Sequence, residues 1–163
     1  MGDPQGWGVT QLNRQSLVQS TRTTIAAIGS ILVARALGLP EYYWAPITTF
    51  VVMQSTLGAA LDISRDRLIG TALGAATGAL LAPHFGSNSI MFGTAVLVLG
   101  LICAALRVGR SAYRFSGITL AVVMLMPRSE PPWLAATHRF VEVSIGVLIG
   151  LAVTALWPAR EAV

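Results

Sequence analysis

Arg67 and Arg139 are the residues of this chain whose type and surroundings point most clearly to chemistry. Each is followed by glycines at helical spacing, which are Gly70, Gly74 and Gly78 after the first and Gly146 and Gly150 after the second. At about 100° per residue, each arginine and its glycines share one helix face. A guanidinium group binds an organic anion through paired hydrogen bonds. The pattern predicts either an anion pathway or a small-residue packing seam whose arginine extends toward lipid headgroups.

The composition places these arginines in a membrane protein. Of the 163 residues, 54% are hydrophobic and 11% are charged, whereas soluble domains carry about 25% charged residues. The excess of apolar side chains must face lipid, because exposing so much apolar surface to water is unfavourable. All eleven basic residues are arginine, and with seven acidic residues they give a net charge of +4. Because no basic face with interleaved aromatics accompanies it, we expect no nucleic-acid partner.

Apolar runs between charges predict an all-α integral membrane protein with six transmembrane helices. The runs are residues 23–39, 42–61, 68–85, 89–106, 115–126 and 140–157. Most approach the ~20 residues that cross a ~30 Å hydrocarbon core. The fifth, with twelve, is either a tilted span or a re-entrant half-helix. We expect a polar or interfacial segment at 1–20, a membrane domain at 21–160 and a short tail at 161–163.

The distribution of arginine predicts the orientation. Six spans place the N-terminus, two loops and the C-terminus on one side with eight arginines, and leave three on the other. Cytoplasmic loops keep the excess of positive charge. We therefore expect a multi-pass protein of the inner (plasma) membrane with both termini in the cytoplasm.

The chain also contains an internal repeat. An offset of 71 residues aligns 42–53 with 113–124 at six identities in twelve positions, and an offset of 72 aligns Arg67 with Arg139 and Arg35 with Arg107. Each unit, about 21–85 and 89–158, holds three predicted helices. Because three is odd, the second unit must enter the membrane inverted. Inverted repeats are typical of transporters with a substrate site at the repeat interface.

In this scheme Arg67 and Arg139 stand at the starts of the third and sixth helices. A helix N-terminus favours anions and disfavours cations, so something must compensate each arginine. One interpretation is that Asp66 and Glu142 pair with them. The other is that the arginines and the N-terminal amides form a site for an anionic substrate. His138 replaces Asp66 in the second unit and is either solvated or titrates near neutral pH.

Further pathway candidates come from the repeat and from polar breaks. Arg35 and Arg107 are equivalent in the two units, and Gln54 lies in a polar interruption of the second predicted helix. Such an interruption either lines a cavity or frays into the interface. Trp44, whose counterpart is Phe115, belongs to an aromatic belt or stacks on an aromatic substrate.

Two stretches resemble the fusaric acid resistance-like (FUSC) and aromatic acid exporter superfamily. They are Tyr-Trp-Ala-Pro-Ile-Thr at 43–48 and Arg-Leu-Ile-Gly-Thr-Ala-Leu-Gly at 67–74. Plant aluminium-activated malate transporters are similar at the same places. The resemblance implies six helices, cytoplasmic termini, movement of organic anions and a basic pathway carried over to Arg67 and Arg139. We expect a single module of this kind to form a homodimer.

These observations favour a transporter or channel that moves organic (aromatic or carboxylate) anions, with export as the expected direction. The alternative is a non-transporting membrane scaffold that holds a partner protein through its glycine seams. Enzyme activity is not expected, because the sequence has no Ser/His/Asp set and no HExxH motif, and its lone Cys103 forms no metal cluster. We expect no cofactor and no metal site.

Overall fold

The structure, a computed structural model, describes residues 14–53, 56–127 and 130–157. Within these ranges the chain forms six α-helices and no strand, as the predicted all-α class requires. They are α1 (Arg14–Ala36), α2 (Trp44–Val52), α3 (Leu57–Phe85), α4 (Ser89–Ala105), α5 (Arg110–Leu125) and α6 (Pro132–Leu156). Three of them, α1, α3 and α6, contain stretches long and apolar enough to cross a membrane. That α4 and α5 also span it stays a prediction.

The predicted second span, 42–61, is wrong, because two helices share it. α2 ends at Val52, and Met53 leaves the helical backbone with ψ 78°. Thr56 is extended, and its hydroxyl accepts a hydrogen bond from the N–H of Ala59 at 3.3 Å, which starts α3 as an N-cap. The nine residues of α2 rise about 14 Å, less than half of a ~30 Å hydrocarbon core.

The predicted starts of the third and sixth helices are also wrong. α3 begins at Leu57 rather than at residue 68, and α6 begins at Pro132 rather than at residue 140. Charged residues ended the apolar runs of the sequence but do not end the helices, because exposed side chains such as Arg65 leave the backbone hydrogen bonds intact. Arg67 and Arg139 therefore lie inside their helices. The macrodipole acts only within the first turn, so the predicted helix-start compensation does not apply to them.

The glycine faces of α3 and α6 pack against α5 and α2. An ideal β-carbon at Gly74 would collide with the carbonyl oxygen of Ser116, and one at Gly146 would collide with that of Ala45. At Gly78 it would lie 2.8 Å from the Cβ of Val123. On both α3 and α6 the glycines predicted to pack closely are therefore in close contact with a neighbouring helix. This contact is possible only because glycine has no side chain.

The contacts also give the helix directions. Along α3 and α5, Gly70 meets Phe115 and Gly78 meets Val123, so the residue numbers rise together and the helices run parallel. α6 and α2 are parallel in the same way. Across α3 and α6 the numbers run in opposite senses, because a buried cluster joins Ala60 to Val147 and another joins Ala75 to Ala136. α3 and α6 are therefore antiparallel.

We expect Gly74→Ala to lower the free energy of unfolding by about 1–3 kcal/mol or more, because the added methyl must displace the α5 backbone. Urea or SDS denaturation of the purified protein in detergent micelles measures this change. Gly117→Ala on α5 is the control, since a β-carbon added there would meet no neighbouring helix or side chain within 4 Å, and alanine favours a helix by about 1 kcal/mol over glycine. Equal stability of both variants would contradict the packing described here.

Candidate functional site

The glycine contacts bring one aromatic ring to each of the two arginines. The guanidinium carbon of Arg67 on α3 lies 4.5 Å from the centre of the Phe115 ring on α5. The guanidinium carbon of Arg139 on α6 lies 3.3 Å from the centre of the Trp44 ring on α2. Both are within the ~6 Å at which a ring face attracts a cation. The third helix of each sequence unit thus meets the second helix of the other unit.

Arg67 is a buried cation with few partners. Arg67 is only 4% exposed, and its Nη2 donates a hydrogen bond to Oγ1 of Thr48 at 3.3 Å. Its Nε has no hydrogen-bond acceptor among the described residues. The expectation that Asp66 neutralises Arg67 finds no support in the geometry, because the Asp66 carboxylate lies beside Gly109 at the start of α5. Consecutive residues on a helix face different directions.

Arg139 is buried in a more acidic setting. It is 1% exposed, and Glu142, three residues later on the same helix, is fully buried. The backbone N–H of Glu41 donates to Oε1 of Glu142 at 3.2 Å. Oε2 of Glu41 in turn accepts a hydrogen bond from Nε1 of Trp44 at 3.1 Å. The Trp44 ring that Arg139 faces is therefore hydrogen-bonded to the carboxylate of Glu41.

The other predicted pathway residues that the structure describes have different surroundings from Arg67 and Arg139. Arg35 is exposed and donates from Nη2 to the hydroxyl of Tyr42 at 2.9 Å. Arg107 is exposed, with a left-handed φ of 52° just after α4. His138 faces Glu130, with Nδ1 3.4 Å from Oε2. Gln54 lies outside the described residues, so its predicted role in the pathway stays a prediction.

Two contributors to the two sites, Thr48 and Glu41, were absent from the predicted set, and Phe115 was named only as the counterpart of Trp44. Thr48 and Phe115 contact Arg67, and Glu41 holds Trp44. The repeat carried part of the signal, since it aligns Phe115 with Trp44. It carried no signal for Glu41, which lies outside the aligned identities.

A separate apolar groove lies between α3 and α6. Its volume is about 430 Å³. Alanines of α3 line the groove on one side, and the aromatic rings of Trp133 and Phe140 on α6 line it on the other. Neither arginine lines it. The groove and the arginine sites are therefore different features of the same helix pair.

Residues 26–153 match the family described as "Fusaric acid resistance protein-like". The chain belongs to this family. The match covers α2 to α5 in full, residues 26–36 of α1 and residues 132–153 of α6, so both arginine sites lie inside the matched span. No solved structure matches the chain.

Two curated relatives from Escherichia coli K12 are similar to this family member. "Inner membrane protein YeeA" is 29% identical over 149 residues, which are 88% of this chain and 42% of that protein. "Uncharacterized transporter YdhK" is 30% identical over 149 residues, which are 86% of this chain and 22% of that protein. The chain thus spans less than half the length of these relatives.

Trp44→Phe tests the hydrogen bond at the Arg139 site. The variant keeps a ring for Arg139 but removes the donor to Glu41, so we expect the free energy of unfolding to fall by about 0.5–1.5 kcal/mol. Chemical denaturation in micelles measures it. Trp133→Phe is the matched control, because Trp133 is 61% exposed and a surface substitution changes stability by less than about 0.5 kcal/mol. Equal losses in the two variants would rule out the assigned bond.

Proposed function

We propose that this chain is a membrane transporter domain that moves organic anions and binds them at Arg67. The family, the relative named as a transporter and the three helices able to cross a membrane support the transporter class. The observation that carries the anion assignment is the buried guanidinium of Arg67, whose Nε has no acceptor among the described residues.

The chemistry of the Arg67 site favours a carboxylate attached to an aromatic or apolar body. A buried charge costs several kcal/mol unless it is paired. An incoming carboxylate would pair with it and accept two parallel hydrogen bonds from the guanidinium fork. The Phe115 ring offers a stacking surface, and the Thr48 hydroxyl offers a further polar contact. A lysine at this position would supply the positive charge but not the two parallel N–H donors of a guanidinium group.

The position of the site supports transport across the bilayer. Arg67 lies about midway between Ala60 and Ala75, and these residues belong to the two clusters in which α3 packs on α6. Arg139 lies between Ala136 and Val147 of the same clusters. Both arginines thus belong to the central part of the α3–α6 pair. Substrate sites near the middle of the membrane are typical of repeat-built transporters.

The pairwise contacts support an inverted repeat. Gly74 meets Ser116 and Thr119, and the equivalent positions, Gly146 with Ala45 and Thr48, make the same contacts. The arginine–ring pairs are equivalent as well. With α3 and α6 antiparallel, a two-fold axis in the membrane plane would relate the units.

The surface supports immersion in lipid. Large apolar side chains on α4 and elsewhere are well exposed, with Ile90 at 83% and Leu97 at 64%. In this setting the excess of arginine that the sequence predicts on the side of the termini favours a cytoplasmic location for both of them in an inner membrane protein. The family's description by resistance to an organic acid favours export.

Flux of benzoate in proteoliposomes that contain the full chain tests the proposal. We expect Arg67→Gln to reduce flux at subsaturating benzoate by about 10- to 100-fold, because a hydrogen bond to a charged group contributes about 1.5–3 kcal/mol. Arg65→Gln is the control, since it removes the same charge from an exposed position of the same helix.

Two results would contradict the proposal. Equal benzoate flux in Arg67→Gln and Arg65→Gln, with both proteins folded, would remove Arg67 from the site. No flux of benzoate, malate or chloride at any tested voltage and pH would argue against anion transport itself, and would favour the scaffold alternative.

A further inference from the structure

The two arginine–ring pairs are alike in position but differ in nearby acids. The offsets that align Arg67 with Arg139 and Phe115 with Trp44 also align Gly70 with Glu142 and Ala112 with Glu41. Each arginine–ring pair with its neighbouring residues forms one half of the site region, the Arg67 half or the Arg139 half. The Arg139 half therefore has the carboxylates of Glu142 and Glu41 at the positions where the Arg67 half has the hydrogen atom of Gly70 and the methyl group of Ala112. Close packing explains the small residues there, because a β-carbon at Gly70 would collide with the carbonyl oxygen of Ala112.

The carboxylates of the Arg139 half are built into the fold. Glu142 is fully buried on the same face of α6 as Arg139, three residues away, which makes their side chains neighbours. Its Oε1 accepts the backbone N–H of Glu41, and the Glu41 side chain accepts Nε1–H of Trp44. These bonds hold two negative groups beside the arginine–ring pair, where an anionic substrate would otherwise bring its own charge.

We propose that Glu142 and Glu41 act as internal anions that close the Arg139 half, so that each chain binds one substrate anion, at Arg67. The two carboxylates are thus specificity-determining residues that convert a symmetric pair of sites into a single site. This inference rests on the proposed function of Arg67. Its consequence is that neutralising the two carboxylates opens a second anion site at Arg139.

Isothermal titration of the purified full chain with benzoate in detergent micelles tests this inference. We expect one benzoate per chain for the wild type and two for Glu41→Gln/Glu142→Gln, since glutamine keeps the shape and removes the charge. Adding Arg139→Gln to the double variant should return the count to one. Asp66→Asn is the control for loss of a carboxylate elsewhere on the arginine-bearing helices, and its count should stay at one.

The outcomes separate this inference from the proposed function. A wild type that binds no benzoate overturns the Arg67 assignment. One benzoate in both the wild type and the double variant overturns the internal-anion inference and leaves Arg67 in place. Two benzoates in the wild type overturn the inference as well, because the Arg139 half would then be open.

A thermal measurement keeps the test decisive if the double variant folds poorly. Glu142→Gln alone leaves the buried Arg139 without its neighbouring charge, so we expect a lower midpoint of thermal unfolding than in the wild type. A ligand that binds only the folded state raises this midpoint. Saturating benzoate should raise it more in Glu142→Gln than in the wild type. An equal rise in both proteins would overturn the inference.

Discussion

The direct contact between helix backbones at the glycines of α3 and α6 is the constraint on which the rest of the structure depends. At Gly74 and Gly146 the neighbouring helix presents a carbonyl oxygen where any side chain would collide. Lipid gives helices no hydrophobic reason to associate, so close van der Waals packing must hold them together. The same contacts determine the register of α3 on α5 and of α6 on α2. That register brings an aromatic ring to Arg67 and to Arg139.

Burial of two arginines in such a helix pair requires compensation. A charge inside the hydrocarbon region is costly, and it is tolerated where it faces the protein interior and a partner. The fold provides aromatic faces for both guanidinium groups and a threonine hydroxyl for Arg67. An arginine in a seam that only packed helices would extend its charge to the membrane surface. The side chains of Arg67 and Arg139 instead remain within the interior of the fold, at 4% and 1% exposure.

The structure combines near-symmetric geometry with asymmetric charge. Glycine contacts and arginine–ring pairs recur in both units, whereas Glu41 and Glu142 occur in only one of the two arginine sites. A repeat with two identical cationic sites would attract two anions to adjacent positions, and these would repel each other. Under the proposal that Glu41 and Glu142 act as internal anions, the carboxylates at the Arg139 site remove that conflict.

The sequence by itself determined the lipid environment, the helical class, the repeat and the equivalence of Arg67 with Arg139, because composition and periodic spacing depend on local chemistry. It did not determine where helices begin, since charges interrupt an apolar run without interrupting a helix. Arg67 was therefore predicted at a helix start and lies in the interior. Only the tertiary structure decided which side chains meet. Asp66 is adjacent to Arg67 yet lies beside Gly109, whereas Phe115 is distant in the chain and contacts it. Partners are chosen by how helices from different units pack, and a sequence pattern contains no distance between segments.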